Sequence, residues 1–382
     1  MKNLLYISNF IMVNVNGANK LCLSHLNAIY NIFGKDKVDV ISLNSNQDLF
    51  SEEYECIKSY SNKMEKIRNL IQLNNVVLNN KIIDYICEKV NKEKYSYVFI
   101  DNSTFGKLVK ALKERTNTIV LSFYHDVKKN LYKDWVKARG IKFFPSYVTQ
   151  IYNEKINAKY VDVNITLNKR ETQMLEMYYN TSCERTLPIC LKDNFSSEYI
   201  KKESKSEHIK LLFVGVYYYP NVQGIEWFCE NVMSAVNDNI KLYIVGRGME
   251  KLKEKLSNDK VIVVGEVDDL GEYYKEADIV VAPIFKGAGM KVKTAEAMMY
   301  GKNILATNEA LEGYEETVEL SNGNIIACNK KEEFLEAIYK LEKNLKPFNE
   351  NIRNLFINNY SENAEKRILI EILEKSKNKN YI

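Results

Sequence analysis

The chain has 382 residues, of which 46% are hydrophobic and 27% charged, with a formal net charge of +4. That length carries two ordinary domains and a large core, and the composition is globular, not disordered or fibrous. So small a net charge does not point to nucleic acid, and seven scattered cysteines without CxxC or Cys/His spacing point to reduced thiols, not to a disulfide framework or zinc site.

The N-terminal "MKNLLYISNF" lacks the length and small-residue cleavage site of a secretion signal, and no window approaches 18 uninterrupted apolar residues. The expectation is a soluble cytoplasmic protein, at most lying on the inner face of the plasma membrane. Strand candidates in the first half are 3–8, 38–43, 95–100, 117–124 and 161–167, with helical patterns over 18–32 and 76–93 between them. A polar, Ser-rich stretch at 192–210 marks the expected boundary. The second half repeats short β-branched runs at 209–216, 240–248, 261–267, 277–285 and 302–308, with helical patterns at 224–236 and 249–256. Continuous apolar strands alternating with helices predict parallel sheets covered on both faces, hence two doubly wound α/β domains in tandem. The domains are expected at 1–195 and 205–360. Residues 361–382 read as an amphipathic helix with a polar tail, returning to the first domain.

The stretch "PIFKGAGMKVKTAEAMMYGKNILATNEALEGY" is unusual. It leaves a strand, breaks at Gly287 and Gly289, and enters a helix that opens on Lys291 and Lys293 with no Ser, Thr, Asp or Asn cap. A helix start carries unpaired N–H groups and about half a positive charge, so cations gathered there call for an outside anion. Glycine lets the backbone approach a phosphate, and the lysines add point charges. Glu296, one turn after Lys293, could accept from a ribose diol, since an ionised carboxylate only accepts. The GxxxxGK[ST] loop and the GxGxxG fingerprint are both absent, which disfavours kinases and dehydrogenases and leaves nucleotide-diphosphate ligands.

With "LLFVGVYYYPNVQGIEWF", "LYIVGRG" and "VVGEVDDLGEYYKEADIVVAPI" in order before it, this stretch resembles the donor-site signature of retaining GT-B glycosyltransferases, family four, of the branch that builds bacterial polysaccharides and glycoconjugates. The resemblance covers about residues 209–314. It implies a GT-B fold of two Rossmann-like domains facing a central cleft, and a hexosyltransferase moving sugar from a UDP- or GDP-linked donor to a glycan, lipid-linked or protein acceptor, with retention and without a metal. It implies that Gly215, Gly287, Ala288, Gly289, Met290, Lys291 and Lys293 line the donor diphosphate. By the same resemblance Glu296 holds the ribose, Glu266 and Val267 lie at the base, and Gly17 of "NVNGANK" meets the leaving phosphate or the acceptor. The chain departs from the pattern at Ala288, where many members carry Glu, and at Val216 and Asn221, where they often carry Arg and Lys.

His125, closing a strand in "SFYHDV", is the candidate catalytic histidine, with Lys293 and Glu296. The plainer reading is a histidine satisfied by a neighbouring carboxylate. Asp101 reads as a turn former and His25 as structural. Residues 127–159 hold eight Lys and Arg against two acids, a net +6, with Trp135, Phe143 and Phe144 interleaved. Such a segment either buries an aromatic face and solvates a basic one, or lies on an anionic bilayer through Lys128, Lys129 and Lys133. Two other functions fit the same outline: an inactive GT-B-type partner of another enzyme, and a nucleotide-sugar epimerase.

Overall fold

The computed structural model describes residues 2–11, 17–44, 50–200, 208–287, 289–343 and 345–379. The chain divides into two units, Met1–Pro188 with Glu365–Ile382, and Ile189–Ala364. The first holds β1 (Leu4–Ser8), β2 (Val38–Asn44), β3 (Glu55–Lys58), β4 (Tyr97–Ile100), β5 (Ile119–Tyr124), β6 (Val163–Thr166) and β7 (Arg185–Thr186). They form one parallel sheet in the order β3-β2-β1-β4-β5-β6-β7. The second holds β8 (Ile209–Val214), β9 (Ile240–Val245), β10 (Val261–Gly265), β11 (Ile279–Ala282), β12 (Asn303–Ala306) and β13 (Ile325–Ala327), ordered β10-β9-β8-β11-β12-β13 and likewise parallel.

Central strands are buried along their whole length, as in "LLYIS" of β1, "YVFI" of β4 and "IVVA" of β11. Helices on both faces remove that apolar surface from water, which is why these runs show no polar alternation. Both sheets reverse direction beside their first strand, between β1 and β4 and between β8 and β11. Parallel α/β sheets bind ligands outside the strand carboxyl ends at such switch points. Strands β3, β7 and β13 lie at or beside the sheet edges and are two to four residues long. Their apolar signal is too short to read in advance.

The boundary falls earlier than the polar stretch suggests. From Ile189 the chain already packs on the second unit: Leu191 N–H donates to Tyr360 O (2.8 Å) and Asp193 pairs with Arg353. The final helix, Glu362–Lys379, joins the first unit from Glu365 onward. Among the described residues no helix is long and apolar enough to cross a membrane.

Candidate functional site

In the second unit, β11 ends at Ala282 and the glycine loop follows. Ala288 lies outside the described residues. Gly289 takes φ 65°, a left-handed conformation that favours glycine. The helix is Val292–Met299, with Lys291 at its N-cap, no side-chain cap and no acid in its first turn. Tyr314, fully buried, fixes the cap by donating to Lys291 O at 2.9 Å.

The two lysines differ in their partners. Lys291 Nζ lies 2.8 Å from Glu309 Oε1 and 2.7 Å from Gly289 O. Its charge is answered from within the chain, by a residue on the loop after β12. Lys293 Nζ instead donates to an amide, Asn221 Oδ1 (2.8 Å), and sits 4.2 Å from the centre of the Phe213 ring. Burial, with Lys291 adding repulsion against the pull of Glu296, brings its ammonium down to about 7. Gly215, where β8 ends, is needed here: a Cβ would stand 3.1 Å from Lys293 Nζ and 3.0 Å from Asn221 Nδ2. Gly287 has the same relation to Lys291, whose Nζ would be 3.2 Å from such a Cβ.

Met290, within the loop, is buried. Glu296 stands beside Lys293 and Tyr274; burial, then the Glu296 charge, hold the Tyr274 phenol well above its ordinary range. Glu266, exposed, and Val267, half-buried, follow β10, whose last residue Gly265 has φ 91°. They lie at the same carboxyl end of the sheet as the lysines, but β10 stands three strand spacings from β11, about 14 Å. Of the two positions that depart from the family pattern, Val216 has a 48% exposed side chain and meets this group only through its backbone O, which accepts from Asn221 Nδ2 (2.9 Å). Asn221, by contrast, holds Lys293.

In the first unit Gly17 opens the helix Gly17–Phe33, and the five residues before it lie outside the described ones. His125, directly after β5, is buried, with Nε2 2.6 Å from Asp101 Oδ1. The carboxylate that holds it is therefore not its neighbour Asp126, which pairs with Lys128 (3.2 Å). Asp101 is not a mere turn former. Fully buried after β4, it also accepts from Tyr6 OH and faces His25 Nδ1 at 2.9 Å. His25 Nε2 in turn lies 3.8 Å from Glu365 Oε1 on the final helix. Burial works against the charge of His25, but Asp101 and then Glu365 outweigh it and raise the imidazole. Likewise His25 and His125 outweigh burial and hold Asp101 far below the usual carboxylate range. Cys22 Sγ is 3.7 Å from His125 Nε2, which completes a Cys22–Asp101–His125 cluster. The 2.6 Å His–Asp distance is a direct hydrogen bond; ligands about 2.0 Å from a tetrahedral ion would stand roughly 3.3 Å apart.

Sequence reasoning missed Asn221, Glu309 and the hub role of Asp101. Asp101 had a signal, an acid closing the apolar strand "YVFI". Asn221 was marked only as a departure from the family pattern and Glu309 had no signal, because they reach the lysines from segments 72 and 18 residues away.

Residues 208–344 match the family described as Glycosyl transferases group 1. An uncharacterized 44.6 kDa protein of the cps region of Klebsiella pneumoniae is 25% identical over 329 residues, 80% of this chain and 79% of that one. An uncharacterized glycosyltransferase of Methanocaldococcus jannaschii is 26% identical over 301 residues, 74% of this chain and 69% of its own. Among solved structures, the lipopolysaccharide outer core galactosyltransferase WaaB superposes with a TM-score of 0.70 at 12% identity, covering 98% of this chain and 99% of that one. The Anabaena HepE protein in complex with UDP gives 0.68 at 14%, over 98% and 100%. The fold is GT-B. With the family match over the unit that carries the lysine-bearing glycine loop, this chain contains a group 1 glycosyltransferase domain and is a nucleotide-sugar-dependent glycosyltransferase.

Proposed function

We propose that the protein transfers a hexose from a nucleotide diphosphate sugar to a glycan, lipid-linked or protein acceptor in surface glycan synthesis, with retention of configuration. The observation that carries the donor site is Lys293. A part-buried lysine held by an amide and an aromatic face, with Lys291 opposing the pull of Glu296, sets two ammonium groups together where a diphosphate would meet both. The start of Val292–Met299 has no side-chain cap, so its first N–H groups would favour the same anion.

In the reaction, the bond between the anomeric carbon and the diphosphate oxygen breaks. The acceptor oxygen bonds to that carbon on the same face, and its proton passes to the departing phosphate oxygen. Lys293, Lys291 and the helix start stabilise the charge that grows on the diphosphate. Glu296 accepts from the ribose hydroxyls, and Glu266 and Val267 stand at the base. Because two lysines and a helix start supply the positive charge, the reaction needs no divalent ion, and turnover in EDTA should equal turnover with magnesium.

The surface-glycan role takes its support from the relative in a cps region and from the lipopolysaccharide galactosyltransferase. UDP is the donor base of choice because the HepE structure holds UDP. A calorimetric panel of UDP-, GDP- and ADP-sugars tests the reading. We expect one base to bind wild type and Lys293→Ala to lose it; no binding of any of the three by wild type would end the proposal.

A further inference from the structure

Helix Phe144–Tyr160 is built inside out. Surface helices ordinarily bury their apolar residues and show their polar ones. Here the buried residues are Thr149, Gln150, Asn153, Glu154, Asn157 and Ala158. Phe144, Val148 and Tyr152 are 47%, 37% and 41% exposed, and Ile141, one turn earlier, is 78% exposed. At 100° per residue, positions 144, 148, 152, 155 and 159 fall within an arc of about 80°. The exposed stripe is therefore apolar for two turns and then basic, ending on Lys155 and Lys159.

The polar face cannot turn outward, because it is bonded in place. Asn153 Nδ2 donates to Leu73 O (2.9 Å), Asn157 Nδ2 to Tyr124 OH (2.8 Å), and Glu154 accepts from Ser103 Oγ and Tyr179 OH (2.8 Å each). Helix Gly106–Arg115 lies directly on this face: a Cβ on Gly106 would sit 2.0 Å from Asn153 O. The apolar stripe is left outside by construction.

Charge identifies what covers it. Residues 127–159 carry a net +6, whereas the rest of the chain has 46 basic and 48 acidic residues, a net −2. Lys133, Lys137, Lys142, Lys155 and Lys159 are exposed, and of the two acids Glu154 is buried while the Asp134 side chain lies outside the described ones. We propose that this face docks on an anionic lipid bilayer, with Ile141, Phe144, Val148 and Tyr152 entering the interface and the lysines meeting lipid phosphates. A soluble acidic partner would explain the lysines but not the apolar stripe, and a second copy of the chain would bring +6 against +6. Of the three lysines the sequence suggested, Lys133 is exposed on this face, whereas Lys128 pairs with Asp126 and Lys129 stacks over Tyr178 at 4.3 Å. The surface stands independently of the reaction; only its use, reaching a lipid-linked acceptor, rests on the proposed function.

The test is co-sedimentation with vesicles of phosphatidylcholine alone and with phosphatidylglycerol added. Wild type should bind the anionic vesicles and lose them at high salt. Lys142→Glu/Lys155→Glu/Lys159→Glu and, separately, Ile141→Ser/Phe144→Ser should each weaken that binding at least about tenfold. Both variants alter exposed side chains, so their thermal midpoints should stay within about 2 °C of wild type. Both should also bind nucleotide as wild type does, so failure of this surface is separable from failure of the donor site. Equal binding to the two vesicle types, indifference to both variants, or no binding would overturn the proposal. So would a wild-type dimer that Phe144→Ser dissociates in the absence of any vesicle binding.

Discussion

At the switch point of the first unit, Asp101 is enclosed by Tyr6, His25 and His125, and His25 is answered again by Glu365. At the matching point of the second unit, Lys293 has an amide and a ring. Strand order and direction are the same in both sheets, so topology does not make this difference. What differs is how completely the charges at the strand ends are balanced inside their own unit. In the first, buried histidines and a tyrosine enclose one carboxylate; in the second, Lys293 is only part-buried and Lys291 opposes the pull of Glu296, which is the setting the proposed donor site uses. Lys291 stands between the two cases, since it is paired with Glu309 at 2.8 Å.

The comparison can be broken most directly at Asp101. Asp101→Ala leaves two buried histidines without their shared carboxylate, which should cost about 3–5 kcal/mol of unfolding free energy in urea denaturation. A loss below about 1 kcal/mol would mean that the first network is not structural.

Next in size, Lys293→Ala and Glu296→Ala should each lower kcat/KM by about 10²–10³ while the protein stays folded, with Lys293→Ala no less stable than wild type because the cost of its depressed ammonium is removed. Near-normal turnover in both would remove the donor site from this loop.

Proton linkage sharpens the contrast further. Lys293 lies at about 7 in the free protein, below its unfolded value. Its cost to stability is therefore absent above the unfolded value and grows as pH falls through the window down to about 7. The charged form binds a diphosphate, so above pH 7 the complex must take a proton from water. Calorimetry from pH 7 upward should show nucleotide diphosphate affinity falling by up to about tenfold per unit, with proton uptake visible in buffers of different ionisation enthalpy. A flat profile would place the charge elsewhere.

The smallest expected effect is at Glu309. If it is the resident counter-ion of Lys291, Glu309→Gln should tighten nucleotide diphosphate binding by roughly three- to tenfold, the size of a partly exposed ion pair. Weaker binding would instead make Glu309 a ligand contact.

The parallel sheets were legible in the sequence because buried strands must be apolar throughout, as "LLYIS" and "IVVA" are. The lysine-bearing helix start was legible because a missing cap and crowded cations are local facts. The 127–159 segment shows the limit of such reading. Its composition is plain in the sequence, and one reading of it placed the aromatic residues inside. The structure reverses that for Phe144 and Tyr152, because the neighbouring elements of the first unit offer this helix Leu73 O, Ser103 and Tyr124. Helical periodicity says which residues share a face; it does not say which face the rest of the chain can satisfy.

Local sequence thus determined the strand and helix pattern, the doubly wound class, the glycine loop and its charge, since each depends on neighbours within a turn or a strand. Tertiary structure alone decided that Lys291 meets Glu309 while Lys293 meets Asn221, and that His125 answers to Asp101 and not to Asp126. The physical reason is the range of the forces involved. Backbone geometry and hydrophobic patterning are set within a few residues. The charge state of a buried group is set by whatever side chain lies within about 4 Å of it, however distant along the chain.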